Sequence, residues 1–114
     1  NPRLMLTQEQ ILPFLDTVIR SYASPSTYAG ISTCHRLVAL ALLRRHYRNE
    51  EPKGITCLYD VLPYSPETIR RAVCDGVDMD MIERVEMGDR RYKKIRATKL
   101  LVETFEAMHV ESTD

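Results

Sequence analysis

Around residue 64 the chain stops one helix and starts another with almost nothing between them. Leu58, Val61 and Leu62 have the spacing of a short helical turn with its apolar side inward, and Thr56 stands where it can cap that turn. Pro63-Tyr64 ends it, and Ser65-Pro66 begins a new helix at once. A serine hydroxyl satisfies an unbonded N–H of the first turn. Proline fits the first helical position because a helix start leaves that N–H without a partner anyway. A short helix, a three-residue turn and a longer helix predict a helix-turn-helix corner. With 114 residues, that corner has one modest core to pack on.

The longer helix, over 65–79, divides cleanly by face. Ile69, Ala72, Val73, Gly76 and Val77 form the stripe that packs inward. Gly76 falls on that stripe, where a missing side chain lets another element come close, and the contact must offset roughly 1 kcal/mol of lost helix propensity. Glu67, Thr68, Arg70, Arg71, Cys74 and Asp75 are left outward. The helix should end near Met79-Asp80, aspartate being tolerable in a left-handed cap.

A hairpin is predicted next, over 81–98, with a strand from Met81, a turn at Gly88-Asp89 and a return strand ending at Ala97. From position 88 to 99 it carries six Lys/Arg, at 90, 91, 93, 94, 96 and 99, against the single acid Asp89. The chain as a whole has a formal net charge of zero. That excludes a general polyanion binder and places any nucleic-acid reading on the distribution of charge.

The flanks are helical. Thr7 and Gln10 resemble a capping box ahead of a helix over 7–24, with Ile11, Leu15, Val18, Ile19 and Tyr22 on one stripe. Pro13 requires that helix either to kink or to begin its regular part near Leu12. Ser32 or Thr33 is expected to cap a second helix reaching about Tyr47. Leu37, Val38, Leu40, Ala41 and Leu42 make it apolar nearly all round, which predicts the central helix of the core. Thr98 is expected to cap a last helix over 99–110, with Leu101, Phe105 and Met108 on one face. The fold class is thus α+β, mostly α: a single domain, 1–114, with a winged helix-turn-helix core over 32–98 between N- and C-terminal helices.

No apolar run approaches the ~20 residues of a membrane span. The three cysteines are widely spaced, form no CxxC, and read as reduced thiols of a cytoplasmic protein. His35, His46 and His109 lack paired ligand spacing, so no metal or other cofactor is expected. No nucleophile–base pair, phosphate loop or carboxylate pair stands out, and no enzyme is predicted. The tyrosines read as packing residues, and nothing requires a small-molecule effector.

The outward residues of the helix and the charge of the hairpin suit double-stranded DNA. An arginine fork can bond guanine O6 and N7 together, which makes Arg70 and Arg71 the candidates for base contact in the major groove. Ser65, Glu67 and Thr68 complete the presented surface, with Thr68 and the first amides near a phosphate. In the hairpin, Arg91 is the candidate for the minor groove and Asp89 braces it. Arg90, Lys93 and Lys94 supply phosphate contacts, hence salt-dependent affinity without base choice.

Four segments carry a resemblance to the MarR family of bacterial transcriptional regulators. Thr68-Ile69-Arg70-Arg71-Ala72-Val73 resembles its recognition helix, and Met81-Ile82-Glu83-Arg84 its "Gly-Leu-Ile-Glu-Arg" step into the wing. Asp89-Arg90-Arg91 is similar to its wing-tip Asp-x-Arg, and Ala97-Thr98-Lys99-Leu100-Leu101 stands where it has "Leu-Thr-x-x-Gly". Asp80 replaces that family's glycine before the wing, and Ala97 and Val102 replace the Leu and Gly of the last motif. The resemblance implies a sequence-specific regulator that dimerises through its terminal helices, one half-site per subunit. Two alternatives stand beside it: a winged helix that binds a protein partner, favoured by acids at 75, 78, 80, 83 and 86, and the DNA-binding domain of a replication or phage protein.

Overall fold

The central helix of the protein is apolar on several sides because it is packed on several sides. A computed structural model of the chain describes residues 5–22, 31–86 and 93–111, the side chains of Tyr22, Ile31 and Ser32 excepted. Among the described residues the fold is mostly helical with one two-stranded antiparallel sheet, an α+β arrangement. The elements are α1 (Ile11–Tyr22), α2 (Ile31–Tyr47), α3 (Thr56–Tyr59), α4 (Pro66–Asp78), β1 (Ile82–Val85), β2 (Lys94–Ala97) and α5 (Lys99–His109). Helix α2 contributes Cys34, Leu37, Val38, Ala41, Leu42 and Leu43 to the core and meets α1, α4, β2 and α5. None of these helices is long and apolar enough to cross a membrane.

Helix α1 follows a short 3-10 turn at Gln8–Gln10, and the Thr7 N–H donates to Gln10 Oε1 at 3.0 Å, as a capping box requires. The α-helical part therefore starts at Ile11, later than the expected residue 7. Pro13 falls in its first turn, where a missing N–H removes no helical bond. Ile11, Leu15 and Ile19 are buried as predicted and Val18 only half so. Helix α2 already runs at Ile31, so Ser32 and Thr33 lie within it rather than capping it. The 24–30 connection and the upper bound of the first helix lie outside the described residues.

Helix α2 ends in a left-handed closure just past Tyr47. Asn49 takes a left-handed φ of 56°, Asn49 N–H bonds His46 O at 3.0 Å and Glu50 N–H bonds Arg45 O at 3.1 Å. Both orphan carbonyls are thereby satisfied. Lys53 then accepts a bond from Ile95 N–H at 2.9 Å and adds one bridged residue to the free edge of β2. Pro52 keeps that edge from lengthening, since it has no N–H to give.

Three details of the corner and last helix differ from expectation. Helix α3 has Ile55 at its N-cap without a side-chain cap bond, so Thr56 is its first residue rather than its cap. Leu58 and Leu62 are buried, but Val61 is 39% exposed, because a helix of four residues turns only one edge inward. In α5, Leu101 and Phe105 are buried while Met108 is 45% exposed. Val110 is buried instead, and its backbone forms a parallel bridge with Leu6, with Leu6 N–H on His109 O and Glu111 N–H on Leu6 O, both at 2.7 Å. Tyr47 Oη donates to Glu106 Oε2 at 2.8 Å and ties α2 to α5. Burial, and then the nearby Glu106 carboxylate, hold that phenol well above its ordinary range.

Candidate nucleic-acid interface

Helix α4 is set by its two ends. At the start, Ser65 Oγ accepts from Thr68 N–H at 3.2 Å and lies 2.9 Å from Thr68 Oγ1, with Pro66 at the first helical position. The two hydroxyls are therefore engaged with each other, and Thr68 presents its methyl more freely than its oxygen. At the finish, Asp80 adopts the left-handed φ of 59° foreseen for it. Asp80 N–H bonds Val77 O at 3.1 Å and Met81 N–H bonds Gly76 O at 2.9 Å, the paired closure of a Schellman motif.

The inward face follows the sequence reading except at Val77, which is only half-buried. Ile69, Ala72 and Val73 are buried, and Gly76 lies against Ile82 of β1. A Cβ at position 76 would stand 2.4 Å from Ile82 Cδ1 and 2.8 Å from Cγ1, closer than packed carbons come. This close approach draws β1 onto α4 and fixes where the hairpin leaves the helix.

Thr98 locks that geometry. Its hydroxyl donates to Asp80 O at 2.7 Å and accepts from Leu101 N–H at 3.1 Å, while Thr98 N–H bonds Met81 O at 3.1 Å. One residue thus joins the end of α4, the base of the hairpin and the start of α5.

On the outward face, Glu67, Arg70, Arg71 and Cys74 are exposed and Asp75 is half-buried. The ordinary fate of such arginines is a pair with Glu67 or Asp75 on the same helix. Among the described residues, neither Arg70 nor Arg71 makes an ion pair. Asp75 instead meets His35 Nε2 of α2 at 2.7 Å. Two guanidiniums therefore remain available on one face.

The hairpin strands pair Ile82 with Ala97, Glu83 with Arg96, Arg84 with Ile95 and Val85 with Lys94. Both strands are shorter than the predicted spans, each being four residues long. Directly opposed residues share a face, so Ile82, Arg84, Ile95 and Ala97 lie on one side and Glu83, Val85, Lys94 and Arg96 on the other. Lys93 is exposed and Lys94 half-buried. Asp89, Arg90 and Arg91, with the rest of the turn at 87–92, lie outside the described residues.

Pairing trims the basic excess of the hairpin. Arg96 Nε bonds Glu83 Oε1 across the strands, and Lys99 Nζ lies 3.7 Å from Glu103 on α5. Of the acids between the helix and the hairpin, Asp75 and Glu83 are thus occupied, and Asp78, Asp80 and Glu86 are exposed.

Arg84 was missed as a member of this surface. It is exposed although its strand partners on that face are buried, and its Nη2 lies 3.5 Å from Cys74 Sγ. Cys74 is one turn beyond Arg70 and Arg71, so Arg84 extends their basic edge from the helix onto β1. A charged residue at an inward register position of a short strand was the available signal. Cys34 is fully enclosed and burial pushes its thiol up, so it is packing rather than chemistry. No protein-family model matches this chain, and no curated protein matches it either.

Proposed function

We propose that the chain is a winged helix-turn-helix DNA-binding domain of a sequence-specific transcriptional regulator, MarR-like in its layout. Helix α3 and the Pro63–Pro66 turn lead into α4 as the recognition helix, and the hairpin is the wing. The observation that carries this reading is the outward pair Arg70 and Arg71, neither of them held by an acid among the described residues. The capped N-terminus of α4, the Gly76–Ile82 contact and the Thr98 junction support it, because each fixes the angle between helix and wing.

In this reading α4 enters the major groove and Arg70 and Arg71 contact base edges, each good bidentate pair giving about 1–3 kcal/mol of discrimination. Arg84, Lys93, Lys94 and the wing arginines Arg90 and Arg91 lie along the backbone and minor groove. A cytoplasmic homodimer joined through the terminal helices would place two such units on a symmetric operator.

A gel-shift titration over a range of salt tests this. Arg91→Ala should weaken binding to all duplexes and flatten the salt dependence by about one counterion. Arg70→Ala and Arg71→Ala should relax preference at particular base pairs. Unchanged binding in all three variants overturns the reading.

A second reading is supported by Met79, which is 63% exposed between the exposed acids Asp78 and Asp80. That end of α4 suits a basic protein partner rather than a phosphate backbone. Retention of a protein partner by variants that have lost DNA binding would favour it.

A further inference from the structure

A second basic region lies at the C-terminal end of α2. Arg44, Arg45, Arg48 and Lys53 line a pocket of about 310 Å³ there, and Glu50 and Asp60 are its acids among the described residues. The helix end accounts for some of this charge, since cations complement its dipole. Arg44 and Arg48 are further accounted for by Asp16 of α1, whose single oxygen Oδ1 takes Arg44 Nη1 at 3.2 Å and Arg48 Nη2 at 3.1 Å. Lys53 reaches Glu50 only at 3.9 Å.

Arg45 is different. Its Nη1 donates to the sulfur of Cys57 at 3.0 Å, and its Nε is buried with no hydrogen-bond partner among the described residues. An N–H of a charged group enclosed without an acceptor is costly, and a guanidinium held away from carboxylates favours an incoming anion. Glu50 and Asp60 line the same pocket, yet neither bonds to Arg45 among the described residues.

We propose that this pocket binds a phosphate group, with Arg45 at its base and Lys53 at its rim. A tetrahedral oxyanion matches the donor fork of arginine, and a turn of the side chain toward it would give the enclosed Nε the acceptor it lacks. Arg44 and Arg48 share one carboxylate oxygen between two positive charges, so they add attraction without being freed from Asp16. The phosphate belongs either to a small free molecule or to a nucleic-acid backbone crossing this side of the domain. The site does not depend on the DNA reading of α4, and it stands or falls separately from it.

The test is thermal unfolding of the full chain in inorganic phosphate against chloride at matched ionic strength. Wild type should gain roughly 5 °C at saturating phosphate, increasing with the logarithm of concentration. Arg45→Met should abolish the gain, and Lys53→Gln, exposed and structurally neutral, should weaken phosphate binding about threefold by loss of one rim charge. If Arg45→Met does not fold, Lys53→Gln and Arg45→Lys carry the test. No phosphate-specific gain in wild type, or equal gains in wild type and all foldable variants, overturns the proposal. Duplex titrations of the same variants then separate the sources. A lower affinity and flatter salt dependence in Lys53→Gln assign the phosphate to a backbone, and unchanged duplex binding with weakened phosphate binding assigns it to a free molecule.

Discussion

The two faces of α4 are built from the same thirteen residues and follow opposite rules. On the inward face the positions are set by packing: Ile69, Ala72 and Val73 are buried in the core, and Gly76 is held small by Ile82. On the outward face Arg70 and Arg71 are exposed and make no ion pair among the described residues. A side chain that folding does not need is one whose identity is left to something else. The comparison therefore separates stability from recognition on a single helix, and substitutions on each face should move one quantity and leave the other.

The largest effect belongs inside. Ile69 is fully buried, so Ile69→Ala should cost about 2–5 kcal/mol in a denaturant melt through lost burial and a cavity. The fraction that remains folded should keep its base preference. A changed preference would mean that the two faces are not independent.

Outside, Arg70→Ala and Arg71→Ala should each relax discrimination at particular base pairs by about 1–3 kcal/mol. Melting should stay within ~0.5 kcal/mol of wild type, the usual range for surface changes. A large loss of stability would place these arginines in the fold after all.

Thr98→Ala sharpens the boundary between the faces. It deletes the cap of α5 and the bond to Asp80 O, and about 1–2 kcal/mol of stability should go with them. Affinity for all duplexes should fall modestly as the helix-to-wing angle loosens, with base preference retained.

The smallest effect is expected from Glu83→Gln. It releases Arg96 from its cross-strand partner, on a pair exposed enough to contribute little to stability. Binding to all duplexes should tighten slightly, with a steeper salt dependence, because one more cation is free to displace counterions.

Local chemistry was largely readable in the chain. The Ser65-Pro66 start, the inward stripe of α4, the glycine at 76, the left-handed Asp80 and the Thr98 cap each depend on neighbours within a few residues. Covalent geometry and helix period fix such features wherever the rest of the chain lies. Partners from distant segments were not readable. His35 and Asp75 are 40 positions apart, and their pairing decides that Asp75 is not spent on the arginines. The same holds for Cys74 with Arg84, Lys53 with Ile95 and Leu6 with Val110, which exist only after the helices have packed. The six cations between positions 88 and 99 illustrate the limit. Composition counts them alike, yet Arg96 and Lys99 face carboxylates within the domain while Lys93 stands exposed.

The central claim is that the outward arginines of α4 read DNA sequence. In vitro selection of bound duplexes at moderate salt, run in parallel on the wild type and on the Arg70→Ala/Arg71→Ala double variant, tests it most directly. The account predicts an enriched, two-fold symmetric motif with wild type, and loss of its guanine positions with the variant. Recovery of the same motif by both proteins, or of no motif by wild type, would contradict it.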